Sequence, residues 1–138
     1  MAPEAFFLPA AGGQRFCLYH PPAAGSARGA MLYLHPFAEE MNKSRRMAAL
    51  LARRLATQAY AVLQVDLHGC GDSSGDFGDA TWANWLHDAR AARDWLHQRC
   101  DAPLWLWGLR AGCLLAVEAA NQLDESANFL FWQPAVSG

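Results

Sequence analysis

The most constraining stretch of the chain is Leu104-Trp105-Leu106-Trp107-Gly108-Leu109-Arg110-Ala111-Gly112-Cys113-Leu114-Leu115, where one apolar run passes through two glycines into another. The first part follows Pro103 and carries no charged residue, the pattern of a strand buried on both faces of a parallel sheet. The second part, Ala111 to Leu123, is nearly all apolar in its first two turns and reads as a helix buried against the sheet centre. Gly108 and Gly112 bracket a sharp turn, so strand and helix approach closely and the middle residue, Arg110, is pushed outward. A guanidinium stays protonated at any working pH. Arg110 therefore binds by charge and cannot serve as a covalent nucleophile.

Around this turn the chain alternates strands and helices. Ala5 to Leu8 and Arg15 to Tyr19 are short strands joined by a hairpin turn at Ala11-Gly12-Gly13, and they are expected at an antiparallel edge. Ala30 to Leu34 and Tyr60 to Val65 are buried strands, and Asn128 to Trp132 is the last one. Between them lies a helix from about residue 43 to 58, with Asn42 or Ser44 as its N-cap and a core stripe of Met47, Leu50, Leu51 and Leu55. Thr81 caps another helix, with Trp82, Trp85, Leu86, Ala89 and Leu96 on its core face, which stops at Asp101-Ala102-Pro103. This order predicts a doubly wound, mostly parallel sheet with right-handed crossovers, its loops converging near Arg110.

Several function classes are excluded by composition. With 138 residues, 53% apolar and 17% charged, the chain builds one domain over 1–138. The net charge is −2, and the densest basic group, Arg45, Arg46, Arg53 and Arg54, reads as a solvated helix face, so no nucleic-acid partner is expected. Cys17, Cys70, Cys100 and Cys113 show no metal spacing and read as free thiols of a reducing cytoplasm. No apolar run is long enough to enter a membrane as a span, and no cofactor motif is present.

The Gly108-Leu109-Arg110-Ala111-Gly112 turn, the post-strand His35-Pro36-Phe37 and the loop Asp66-Leu67-His68-Gly69-Cys70-Gly71-Asp72-Ser73 together resemble the α/β-hydrolase superfamily. Residues 36–47, the Gly69 to Phe77 run and Trp107-Gly108-Leu109-Arg110 resemble, within it, the hydrolases associated with exosortase A systems. The resemblance implies an α/β-hydrolase-type three-layer sandwich with a mostly parallel sheet, here truncated after the sixth strand. It implies an acyl or ester-type small-molecule substrate in an envelope-polymer or protein-sorting context. It also implies that Arg110 stands where the superfamily's Gly-x-Ser-x-Gly elbow carries its nucleophile. Beyond Arg110 there is no histidine, and Asp124 and Glu125 lie at the end of the elbow helix, where an orienting acid is out of place. A non-catalytic binding or assembly module is the alternative.

The candidate site residues follow. Arg110 binds a carboxylate or phosphate, or pairs with Glu39, Glu40 or Asp72. In an oxyanion-type loop the donors are Ala111 with Phe37 or Ala38, because Pro36 has no N–H. Ser73 and Ser74 are hydroxyls that either replace the nucleophile or satisfy loop amides, the second being their usual role. Cys113, one turn past Arg110, is expected to be buried, and Cys70 exposed. His35, His68 and Asp66 end neighbouring strands and either form a base or metal site or, as the preferred reading, the histidines bind loop backbone. The strand Phe129 to Trp132 leaves an apolar edge through which self-association is expected.

Overall fold

A computed structural model describes residues 2–10, 12–23, 25–36, 39–75, 78, 80–123 and 126–132, without the side chains of Glu39, Glu40, Asn42 and Lys43. The elements run β1 (Glu4–Ala10), β2 (Gly13–His20), β3 (Gly29–Leu34), α1 (Glu39–Thr57), β4 (Tyr60–Val65), α2 (Trp82–Arg99), β5 (Leu104–Leu109), α3 (Gly112–Gln122) and β6 (Asn128–Trp132). Six strands form one sheet in the order β1-β2-β4-β3-β5-β6. β1 and β2 pair antiparallel, as do β2 and β4, and the other pairs are parallel. The antiparallel edge and the parallel centre are as the sequence predicts.

Helices cover both faces, which gives three layers. On one face α2 and α3 pack on Cys17, Leu32, Leu63 and Leu106, and on the other α1 packs on Met31, Tyr33, Val62 and Trp107. The strand residues alternate between these layers with period two, so β3 and β5 are apolar on both sides.

Three details differ from the sequence reading. Helix α1 begins at Glu39, not near 43, and Ser44 sits inside it, where its hydroxyl donates back to Met41 O at 3.3 Å rather than capping. The buried face of α1 is Met41, Ser44, Ala48 and Ala52, while Met47 and Leu50 are 44% and 52% exposed. The reason is steric. Tyr33 and Trp107, with ring centroids 4.2 Å apart, stand on the facing sheet, so α1 presents Ala48 and Ala52 to them, while Leu51 and Leu55 of the expected stripe pack half-buried against the same cluster. In α2 the Thr81 capping box with Asn84 fixes the start as expected, but Trp82 lies in the first turn and remains 40% exposed.

Candidate functional site at the carboxyl ends of the strands

The turn from β5 to α3 is built by backbone crowding. A Cβ at Gly108 would stand 2.7 Å from Cys113 Cα, and one at Gly112 would collide with Leu34 O at the end of β3. Only glycine allows the helix to start this close to two strands. Between them Arg110 adopts φ +53°, the left-handed region, and its N–H donates to Trp132 O of β6 at 3.0 Å. For a residue with a Cβ that conformation costs about 1–2 kcal/mol. The Arg110 side chain is exposed, above the first turn of α3, and the N-cap residue Ala111 supplies no side-chain cap to that turn. One helical turn on, Cys113 is buried as expected, and burial raises its thiol pKa, so it is held as the neutral thiol.

The loop after β4 is built differently, by side chains. Asp66 Oδ2 accepts from Asp72 N at 3.0 Å and from Arg45 Nη2 at 3.3 Å, and Arg45 Nη1 lies 3.9 Å from Asp72 Oδ2. Arg45 is thus a clasp between α1 and this loop, not part of a merely solvated helix face, and Asp72 faces Arg45. The Ser73 hydroxyl donates to Asp66 O and accepts from Phe16 N at 2.8 Å. Ser74 Oγ accepts from Gln14 N at 2.8 Å, so both serines stitch the loop to β2. Cys70, contrary to the expected exposure, is buried, and burial reinforced by Asp66 and Asp88 raises its thiol to about 11. The loop folds inward because Cys70 N donates to Leu67 O and Ser73 N to Cys70 O, closing a tight double turn.

His35 and His68 do not converge on a common ligand. His35 is buried, donating from Nδ1 to Pro36 O at 2.5 Å and accepting at Nε2 from Leu67 N at 3.1 Å, so both ring nitrogens serve loop backbone. Burial lowers its pKa and keeps the ring neutral. His68 binds a side chain instead: its Nδ1 accepts from Arg15 Nη2 at 2.9 Å. No cluster of three metal-ligating side chains occurs among the described residues.

Arg15 also reaches Asp88 of α2, Nε to Oδ1 at 2.8 Å, with both side chains at most 2% exposed. Asp88 Oδ2 then accepts from His68 N at 2.7 Å, and Trp85 Nε1 donates to His68 O at 2.9 Å. Burial raises the Asp88 pKa, opposed by the His68 N–H and by Arg15. This buried pair was not foreseen. Its signal lies in the patterns: Arg15 shares the inward parity of Cys17 and Tyr19, and Asp88 lies three residues past Trp85 on the apolar stripe of α2. Of the remaining expected site residues, Phe37, Ala38, Asp124 and Glu125 lie outside the described residues, as do the side chains of Glu39 and Glu40.

Comparison with known proteins yields four findings. A family model for serine aminopeptidase, S33, matches residues 25–137. Protein ABHD12B of Homo sapiens is 32% identical over 110 residues, which cover 79% of this chain and 29% of that protein. An α/β serine hydrolase without a lid from Xanthomonas campestris, XC6422, superposes with a TM-score of 0.79 at 20% identity over 95% of this chain and 61% of that one. A soluble variant of monoglyceride lipase from Saccharomyces cerevisiae superposes with a TM-score of 0.83 at 20% identity over 99% of this chain and 46% of that one. These structural likenesses establish an α/β-hydrolase fold. The chain spans less than two thirds of the length of each of these relatives.

Proposed function

The chain belongs to the serine aminopeptidase S33 family of α/β-hydrolase proteins, and from that premise we propose that it binds a small anionic acyl compound through Arg110 at the position of the hydrolase nucleophile. The observation that carries this reading is the left-handed Arg110 at the β5–α3 turn, with its side chain exposed at the mouth of the strands. A guanidinium there offers paired N–H donors to a carboxylate or phosphate, and the first turn of α3 adds the positive end of its dipole. Ala111 N–H is the donor that an oxyanion would meet first. The ester-type substrate class is part of the proposal, supported by the printed names of neighbours such as the carboxyl esterase of Bacillus coagulans and the yeast monoglyceride lipase. So are the exosortase-associated setting, which rests on the long motifs around residues 36–47 and 69–77, and a cytosolic location, which the four free thiols support.

Binding is favoured over Ser-His-Asp turnover because the nearest loop hydroxyls, Ser73 and Ser74, are engaged with backbone. The test uses inorganic phosphate and acetate as probes in calorimetric titrations, alongside hydrolysis of p-nitrophenyl acetate. Saturable anion binding that disappears in Arg110→Ala, with unchanged circular dichroism and no ester turnover, is expected. Equal affinity in Arg110→Ala overturns the proposal. Turnover that survives Arg110→Ala and is lost in Ser73→Ala supports a displaced nucleophile instead.

An assembly role is also proposed, on one observation. β6 pairs only with β5 among the described residues, and Phe129 and Phe131 are each 40% exposed on it. Self-association through this edge gives a mass above the monomer in light scattering at micromolar concentration, lost in Phe131→Lys.

A further inference from the structure

Between α1 and the β2–β4 side of the sheet lies a cavity of about 330 Å³, with His35 from the end of β3 in its lining. That size lies within the range of small-molecule pockets. Phe16, Leu18, Met41, Val65 and the two alanines Ala48 and Ala49 make its walls apolar. Tyr33 lines it with a buried hydroxyl that makes no hydrogen bond of normal geometry, its polar side-chain neighbour being the Ser44 hydroxyl of α1. The neighbouring Trp107 indole N–H, on the same face of the sheet, is likewise without a partner. Leaving a buried donor poorly paired costs up to about 1–3 kcal/mol, so a hydroxyl that makes no bond of normal geometry with Ser44, beside an apolar cavity, marks a place where a better acceptor fits.

The rim decides the charge of that acceptor. Asp66 and Asp72 flank Arg45 there, the one cation among the described lining residues, and Arg45 is already engaged with both. The three side chains sum to one negative charge, which disfavours a carboxylate or phosphate. Gln64, also in the wall, spends its carbonyl oxygen on His20 Nε2 at 2.7 Å, which leaves its amide with N–H donors only. We infer that this cavity is a second binding site, for an uncharged small molecule with an apolar body and one hydrogen-bond acceptor, such as a ketone, ester or alcohol, seated against Tyr33 Oη. This goes beyond the anion reading at Arg110, and the two sites differ in the charge they take.

The experiment titrates the chain with 2-octanone and, separately, with octanoate, following backbone amide shifts by NMR. Saturable shifts at Tyr33, Ala48 and Ala49 are expected with 2-octanone, with octanoate at least roughly tenfold weaker. Tyr33→Phe removes one neutral hydrogen bond to the ligand and weakens binding by roughly fivefold or more, with unchanged circular dichroism. Ala49→Trp fills the cavity and abolishes binding, and Arg110→Ala leaves it unchanged. No saturable shift at these amides, equal affinity for octanoate, full affinity in Tyr33→Phe, or loss of binding in Arg110→Ala each overturns the inference, the last by assigning the ligand to the elbow.

Discussion

The β5–α3 turn is held by backbone packed on backbone, whereas the loop after β4 is held by side chains that reach it from three elements. At the turn, Gly108 and Gly112 act singly, each leaving out one Cβ where Cys113 or Leu34 stands. Around the loop, Arg15, His68 and Asp88 act as a unit, each bonded to at least one of the others. The contrast teaches that a site rim can be specified locally, by what a residue lacks, or remotely, by what several residues share. The first kind fails by collision and the second by abandonment, since a lost partner strands a buried charge.

Mutations sharpen that contrast. The largest effect is expected from Asp88→Ala, about 3–5 kcal/mol in urea unfolding, because the buried Arg15 loses the carboxylate 2.8 Å from its Nε. Replacing both partners, Arg15→Met with Asp88→Leu, recovers most of that loss; a double variant as unstable as Asp88→Ala alone would show that the pair is worth more than its burial costs. Next comes Gly112→Ala, at about 2–3 kcal/mol, because the obstructing atom is the Leu34 carbonyl and backbone does not step aside. Gly25→Ala, with no atom within 4 Å of the added Cβ, is the control and stays within about 0.5 kcal/mol.

A smaller effect follows from acid. His35 and His20 are held neutral in the folded chain by burial, so their pKa values lie below those of the unfolded chain. As pH falls below the unfolded value of about 6.5, the unfolded state takes up protons that the folded state refuses, and stability drops by at most about 1.4 kcal/mol per pH unit for each ring. His35→Gln should flatten part of that slope between pH 7 and 5; an unaltered slope would remove His35 from the account. The smallest change is a gain: Arg110→Gly relieves the left-handed backbone and should stabilise by up to about 1 kcal/mol.

The elbow was legible because its signals are contiguous. Two glycines four residues apart, after an apolar strand and before an apolar helix, suffice to place Arg110 at the turn. The hairpin edge and the Thr81 cap were legible for the same reason, as local patterns. The loop was not. Arg15 and Asp88 are 73 residues apart, and nothing near either one announces the partner. Arg45 sits among three other arginines on one helix, and only the fold shows that it, rather than Arg46, meets Asp66. Of the stripe Met47, Leu50, Leu51 and Leu55, the last two do pack on the core, but Met47 and Leu50 face outward because Ala48 and Ala52 are the residues that fit against Tyr33 and Trp107, a volume that no one-dimensional pattern contains. The Tyr33 hydroxyl is hidden in the sequence as well: a tyrosine in an apolar strand looks like any other core ring.

The bond from Arg110 N–H to Trp132 O gives the elbow a clock. That proton is shielded from solvent deuterium for as long as the last strand lies in place, and it is released when β6 lifts from β5. Its exchange rate therefore reports, at a single atom, how often the sheet's final strand opens. Any partner that clamps the Phe129–Trp132 edge will slow that exchange without touching the arginine side chain.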